Sequence, residues 1–424
     1  MLAMLSMTGR LTMLGISRWT GKGGSYRTVQ RFFNESIPWA QVFGKFFVQH
    51  LFDPKDEYFL VGDESVITKS GRVTHGLDYF FSGLHNKVVK SIAIFTLSLV
   101  SVSARQAYPL RTEQVVRSEA EKATAKAKKK QIQKDPKQSQ RKPGRPKGSK
   151  NKDKTQVPLT EELKRIRKMV QEQLEMCKDL LPIVHLVLDG HFGNNHALQM
   201  TRQCGLHLIS KLRYDAALYF KYDGPQKRKG PRKKYGQKVD YRTIPQKYLV
   251  EKSTVKGIET RIYQAQMLHR NFAQGLNVVI LTKTKLKTGA VTNVNLFSSD
   301  LTLDWQKIID RYSLRFQIEF NFRDAKQHWG LEDFMNVNEV PLTNALNLSL
   351  FMVNLSQVLL RDFRETHPES GILDLKAFFR AAKYFEETIK MLPEKPESFL
   401  LEQIFGRVAT LGCIHPVNVH ALSP

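Results

Sequence analysis

Two apolar runs in this chain each end on an aspartate: Phe59-Leu60-Val61-Gly62-Asp63 and Ile183-Val184-His185-Leu186-Val187-Leu188-Asp189. Much later, Tyr312, Arg315, Glu319 and Lys326 stand in the pattern Tyr-x2-Arg-x3-Glu-x6-Lys. Carboxylate oxygens are the donors that hard divalent cations prefer, and Arg and Lys hold anionic oxygens through charge-assisted hydrogen bonds. The chemistry open to such a set is metal-assisted work on an anionic substrate. Each part also has a plainer reading. An aspartate after a strand often closes a turn or caps a helix, and Arg315, Glu319 and Arg323 at i, i+4 spacing would form an ion-pair ladder on a solvated surface. Two aspartate-tipped strands followed by a carboxylate-bearing helix are less common by chance than any one of these features.

The segment from Asp310 to Gly330 reads as one helix. With Tyr312 as zero and about 100° per residue, Arg315, Glu319 and Lys326 fall at about 300°, 340° and 320°, with Arg323 at about 20° on the edge of that stripe. Leu314, Ile318 and Phe322 fall between about 200° and 280°, an apolar stripe that can anchor the helix on a core.

The elements that must position these residues alternate in period. Residues 1–50 read as small helices resembling a helix-turn-helix, with Ser25 as N-cap of the second. On that helix Arg27, Gln30 and Arg31 share a face that could meet a DNA groove, while Val29, Phe32 and Phe33 could turn inward; a basic helical surface is the alternative. From Tyr58 the pattern becomes β, with strands at Phe59 to Val61, Lys87 to Val102 and around Ala107 to Leu110. Between Arg117 and Thr155 large apolar residues almost vanish, so this stretch cannot bury enough surface to offset its chain entropy. Within it, Arg141-Lys142-Pro143-Gly144-Arg145-Pro146-Lys147 resembles an AT-hook: prolines hold the backbone extended, Arg145 can enter a narrow minor groove, and Lys147 can meet phosphate. A basic linker would look similar.

An amphipathic helix from Leu159 to about Leu180 precedes the second aspartate strand; a helix near Asn195 to Arg202 and a strand near Leu206 to Lys211 follow. A second basic loop, Lys227 to Lys238, leads into a β-rich stretch, and the chain turns helical after Asp300.

Composition agrees with a nucleic-acid partner. In 424 residues, 66 Lys and Arg face 40 Asp and Glu, a net charge of +26, and neutralising phosphates releases counterions; an anionic membrane surface is the main rival. Three cysteines, Cys177, Cys204 and Cys413, lie far apart, so no disulfide framework or zinc spacing is expected. His185, His191 and His196 near Asp189 match no strong zinc pattern either. Met1 to Met13 lacks the basic start and sustained apolar run of a signal peptide. The apolar runs at Ser91 to Val102 and Leu346 to Leu360 read as a buried strand and a buried helix, so no membrane partner is expected and a cytoplasmic, nucleoid-associated location is.

On Tyr312, Arg315, Glu319 and Lys326, with Asp63 and its following Lys69-Ser70-Gly71, Asp189-Gly190 and the β-rich insertion, the chain resembles the DDE transposases of bacterial insertion sequences, in the group with the Tyr-Arg-Glu-Lys signature, insertion sequence family four and its close relatives. Where many members have Asp-Asp-Thr, this chain has Asp63-Glu64-Ser65. The resemblance implies an α/β fold: a ribonuclease-H-like catalytic core with an inserted β-rich subdomain, plus helical N- and C-terminal regions. Its parts would be 1–50 helical and DNA-binding, 51–116 core, 117–158 basic insertion, 159–215 core, 216–299 β-rich insertion, 300–363 core with the signature helix, and 364–424 helical. It further implies that Asp63, Asp189 and Glu319 are catalytic and hold two Mg²⁺ ions, for which Mn²⁺ can substitute, about 4 Å apart. Asp63 would bridge both ions, and Tyr312, Arg315 and Lys326 would hold phosphates. The implied partners are double-stranded DNA, as terminal inverted repeats and as target, and a second copy of the chain in a dimer or higher oligomer. Phe192 and Trp329 are candidates for stacking on a displaced base, with core packing as the alternative. A nuclease of the same fold without strand transfer, or a DNA-binding protein without activity, are the competing functions.

Overall fold

The computed structural model describes residues 1–21, 24–119, 121–123 and 153–415. Arg145, Lys147 and the AT-hook-like stretch lie outside the described residues.

Four helices open the chain: α1 (Leu2–Ser6), α2 (Met13–Trp19), α3 (Tyr26–Asn34) and α4 (Trp39–His50). Ser25 caps α3 as expected, its side chain accepting from the Thr28 amide. Val29 and Phe33 are buried, and Arg27, Gln30 and Arg31 are exposed. Phe32 departs from the sequence reading: it is 41% exposed, because only one stripe of so short a helix can face the core.

The central strands are β1 (Tyr58–Thr68), β2 (Asp78–Ser82), β3 (Lys87–Ser101), β4 (Gln106–Val115), β5 (His185–Leu188) and β6 (His207–Leu212). β1 pairs antiparallel with β3 and parallel with β5, and β5 continues parallel to β6. The long β3 serves two neighbours on its far side, β2 along its first half and β4 along its second. The run from Ser91 to Ser101 is buried throughout, as a strand covered on both faces must be. The chain reaches β5 through α5 (Glu161–Cys177), capped by Thr160, and crosses from β5 to β6 through α6 (Asn195–Gln203), capped by Asn194.

Strands β7 (Leu218–Lys221), β8 (Tyr235–Lys238), β9 (Leu249–Val255), β10 (Ile258–His269), β11 (Leu276–Lys285) and β12 (Val291–Ser298) make up the β-rich stretch. They continue the central sheet: β12 pairs with β6 from Asn295↔Leu212 to Ser298↔Ile209, and the ladder extends through β11, β10, β7 and β8 to make a 12-stranded mixed sheet.

The C-terminal half is helical: α7 (Trp305–Leu314), α8 (Gln317–His328), α9 (Glu339–Phe363), α10 (Ile372–Lys390) and α11 (Ser398–Ala409). Two asparagines of α9 anchor it on its neighbours. Asn354 donates to the Pro109 carbonyl of β4 at 2.8 Å, and Asn344 joins the Trp39 indole to the Phe33 and Glu35 carbonyls. On α8, Asn321 donates to the Ala107 carbonyl of β4 at 3.0 Å. Buried carbonyls need partners, and these side chains supply them while fixing both helices on the edge strand. Among the described residues, no helix is long and apolar enough to cross a membrane.

Candidate active site

Strand pairing brings the two aspartates together. The parallel register Leu60↔Leu186, Val61↔Val187, Gly62↔Leu188 makes Asp63 and Asp189 the next residue on each of two adjacent strands. Gly62 permits this approach, since a Cβ there would lie 2.7 Å from the Phe95 ring and 3.1 Å from the Leu188 side chain. Both carboxylates are partly oriented by backbone amides: Asp63 Oδ1 accepts from the Glu64 N–H at 2.9 Å, and Asp189 Oδ1 from the His191 N–H at 3.1 Å. The Ser210 hydroxyl of β6 donates to the Asp189 carbonyl at 2.7 Å and holds the end of β5.

Glu319 arrives on α8, where Ile318, Phe322 and Ala325 are buried. The expected single helix from Asp310 to Gly330 is instead two, α7 and α8, with a tight turn at Arg315 and Phe316. Here the bonds shorten to three residues: Phe316 N–H to Ser313 O, Ile318 N–H to Arg315 O and Glu319 N–H to Phe316 O. Periodicity cannot register such a shift from α to 3₁₀ geometry, which needs no proline or glycine. Arg315 thus occupies the joint, and its guanidinium spans two of the carboxylates, 3.2 Å from Asp63 Oδ2 and 3.0 Å from Glu319 Oε1. It also lies 5.8 Å from the Tyr312 ring centroid, and its buried Nε has no hydrogen-bond partner.

Burial and neighbouring charges shift ionisable groups of the site. Burial pushes the Asp63 carboxyl up to about 6; Arg315 and the Glu64 amide oppose this, and the charges of Asp189 and Glu319 add to it. Burial also raises the Tyr312 phenol, with Arg315 opposing and Asp189 adding. For Arg315, burial disfavours the charge, but Asp63, Tyr312 and Glu319 together more than compensate and the pKa is raised. A half-buried cluster of carboxylate oxygens suits a hard divalent cation. With the guanidinium lying between Asp63 and Glu319, no group of three or more His, Cys, Asp or Glu side chains among the described residues stands arranged to hold one.

The remaining expected residues divide. Lys326 reaches the strand, its Nζ 3.0 Å from the Val66 carbonyl and 3.4 Å from Glu332. Arg323 does not join the stripe: it is exposed, pairs with Asp324 at 2.9 Å and lies over the Phe320 ring. Neither stacking candidate offers a ring face, because Trp329 is 0% and Phe192 6% exposed and both belong to the core. Their size makes burial the larger gain.

The sequence reading gave no role to two basic residues that brace the site. Lys69, just beyond β1, places its Nζ 2.8 Å from the Phe334 carbonyl and 3.9 Å from the Phe334 ring, tying β1 to the loop after α8. Arg311, four residues before Arg315, is buried between His185 Nδ1 at 2.8 Å and Glu57, and so clamps α7 to the starts of β5 and β1. Its i, i+4 spacing from Arg315 was the available signal.

A family profile described as DDE superfamily endonuclease matches residues 1–271, a span that holds Asp63 and Asp189 and ends before Glu319. A comparison with curated proteins finds no match.

Proposed function

The chain belongs to the DDE superfamily endonuclease family, and on that premise we propose that it is a DNA transposase that cuts at the ends of a mobile element and joins them to target DNA. The observation that carries this reading is the meeting at Asp63 of Asp189, on the adjacent strand, and Glu319, joined to Asp63 through Arg315. The strand order β4-β3-β1-β5-β6, antiparallel on one side of β1 and parallel on the other, supports a ribonuclease-H-like core.

In this reading Asp63, Asp189 and Glu319 hold two Mg²⁺ ions, and Mn²⁺ can substitute. Bound there, the ions supply charge stabilisation for both the entering and the leaving oxygen of a phosphodiester. The chain's own residues do the positioning. Arg315, with an unpartnered Nε, and Tyr312 beside it offer donors to a phosphate at the cut, and Lys326 fixes the far end of α8 against β1. Turning Arg315 toward phosphate frees the oxygens of Asp63 and Glu319. The pattern of Tyr312, Arg315, Glu319 and Lys326 supports a relation to insertion sequence family four. The exposed Arg27 and Arg31, and Arg145 and Lys147 of the AT-hook-like stretch, add sequence-independent or minor-groove contacts. Holding two ends requires a dimer or higher oligomer.

Endonuclease activity without joining is the second reading, favoured by the description of the matched family. Incubation with labelled element ends, target plasmid and Mg²⁺ separates them. Joined product is the expected result; cut ends alone establish the nuclease, and a shifted band without chemistry rejects both. Glu319→Ala should abolish cutting and leave end binding intact.

A further inference from the structure

The outer end of the sheet carries a feature unconnected with the carboxylates. Between β7 and β8 the chain forms a hairpin whose tip presents Lys227, Arg228, Lys229, Arg232, Lys233 and Lys234, all exposed, and among the described residues none of them has a carboxylate partner. The only acid within the loop is Asp223. Like charges at this density repel, and a loop without internal ties would splay.

This hairpin is tied. The Gln226 side chain imitates a strand partner, its Oε1 accepting from the Lys233 N–H at 2.9 Å and its Nε2 donating to the Lys233 carbonyl at 2.9 Å. The Tyr222 N–H donates to the Lys234 carbonyl at 3.0 Å, and the Lys233 ammonium lies 4.4 Å over the Tyr222 ring. At the base, Tyr219 and Tyr235 meet edge to face at 5.4 Å, and Arg270 sits over both rings. Gly236 lets the two strands close, since a Cβ there would lie 2.9 Å from the Lys221 carbonyl. The result is a braced prong with a cationic tip.

We propose that this prong is a docking surface for the phosphate backbone of double-stranded DNA, separate from the carboxylate site and indifferent to sequence. Its cations face solvent while its aromatics are spent on bracing, which suits contact with the phosphate backbone. A bilayer surface fits less well: from Asp223 to Lys234 the loop has no large apolar side chain to insert. The inference rests on the transposase reading only in taking duplex DNA as the partner.

The test is the salt dependence of binding to a fluorescein-labelled duplex of random sequence, for the full chain and for a variant with Lys227→Gln, Arg228→Gln, Lys229→Gln and Arg232→Gln. Each lost phosphate contact lowers the slope of log K against log salt by about 0.9. The variant should therefore lose about 2 to 4 units of slope and bind at least about 10-fold more weakly near 0.1 M salt. A second variant with Lys227→Arg, Lys229→Arg and Lys234→Arg should bind as the parent does, and unchanged thermal unfolding of both excludes a folding defect. Equal slopes for parent and Gln variant would overturn the prong while leaving the transposase reading intact. Loss of binding to anionic vesicles with DNA binding unchanged would also overturn it, and a parent that binds no duplex would overturn both.

Discussion

Arg315 stands 3.2 Å from Asp63, an ion pair in which the guanidinium is 11% and the carboxylate 20% exposed. At such burial neither charge is well solvated, and removing one member strands the other. The pair therefore decides both the ionisation of Asp63 and the availability of its oxygens.

Arg315→Gln should raise the Asp63 pKa further, because the opposing cation is gone while Asp189 and Glu319 remain. Mg²⁺ binding, followed by calorimetry, should then begin at higher pH than in the parent. DNA cutting should fall by about 10²- to 10³-fold, the usual cost of losing one preorganised donor at a reacting phosphate. Unaltered pH dependence of Mg²⁺ binding would separate Arg315 from Asp63.

Asp63 itself should show a trade of stability against function. Its pKa rises from 3.8 to about 6 on folding. Between those values the folded chain keeps a proton that the unfolded chain has lost, so its stability falls as pH climbs through this window. In Asp63→Asn the fall in stability between about pH 4 and about pH 6 should therefore shrink, by about 1 to 3 kcal/mol. Urea midpoints at the two pH values check this, and parent activity should rise through about pH 6 as the carboxyl ionises.

His185 gives the opposite slope. Burial, then Arg311, lowers its pKa from 6.5 to about 4, against the pull of Asp300. The unfolded chain takes up the proton first, so stability is lost as pH falls from 6.5 toward about 4. In His185→Gln, which keeps an acceptor for Arg311, the loss between pH 7 and about pH 4.5 should shrink. An unchanged acid limb would place the sensitivity elsewhere.

Trp329 should behave as core. Trp329→Ala is expected to cost about 3 to 5 kcal/mol by urea denaturation, with DNA affinity per folded molecule unchanged. A selective loss of end binding in a stably folded variant would restore the stacking role.

Much of the site was legible in local pattern. Apolar runs closing on Asp63 and Asp189, and a stripe joining Glu319 and Lys326, are short-range regularities that pleat and helix impose on sequence. The strand at Lys87 was readable almost to its ends, since a span buried on both faces is largely apolar. The aromatic residues were less legible. Trp329 and Phe192 have the chemistry for stacking and the size for a core, and only the packing around them decides between the two.

The amino-acid sequence alone determined the basic charge, the two apolar runs that close on Asp63 and Asp189, the capped helix at Ser25 and the four-residue signature, because each depends on composition or on neighbours a few residues apart. Tertiary structure alone decided that β1 and β5 pair in the register that aligns Asp63 with Asp189, that the helix breaks at Arg315 and turns its guanidinium onto both acids, and that the β-rich stretch extends one continuous sheet. Those outcomes follow from strand pairing and burial between segments far apart in the chain, where residue type sets no register and the free energy of the assembled core selects one.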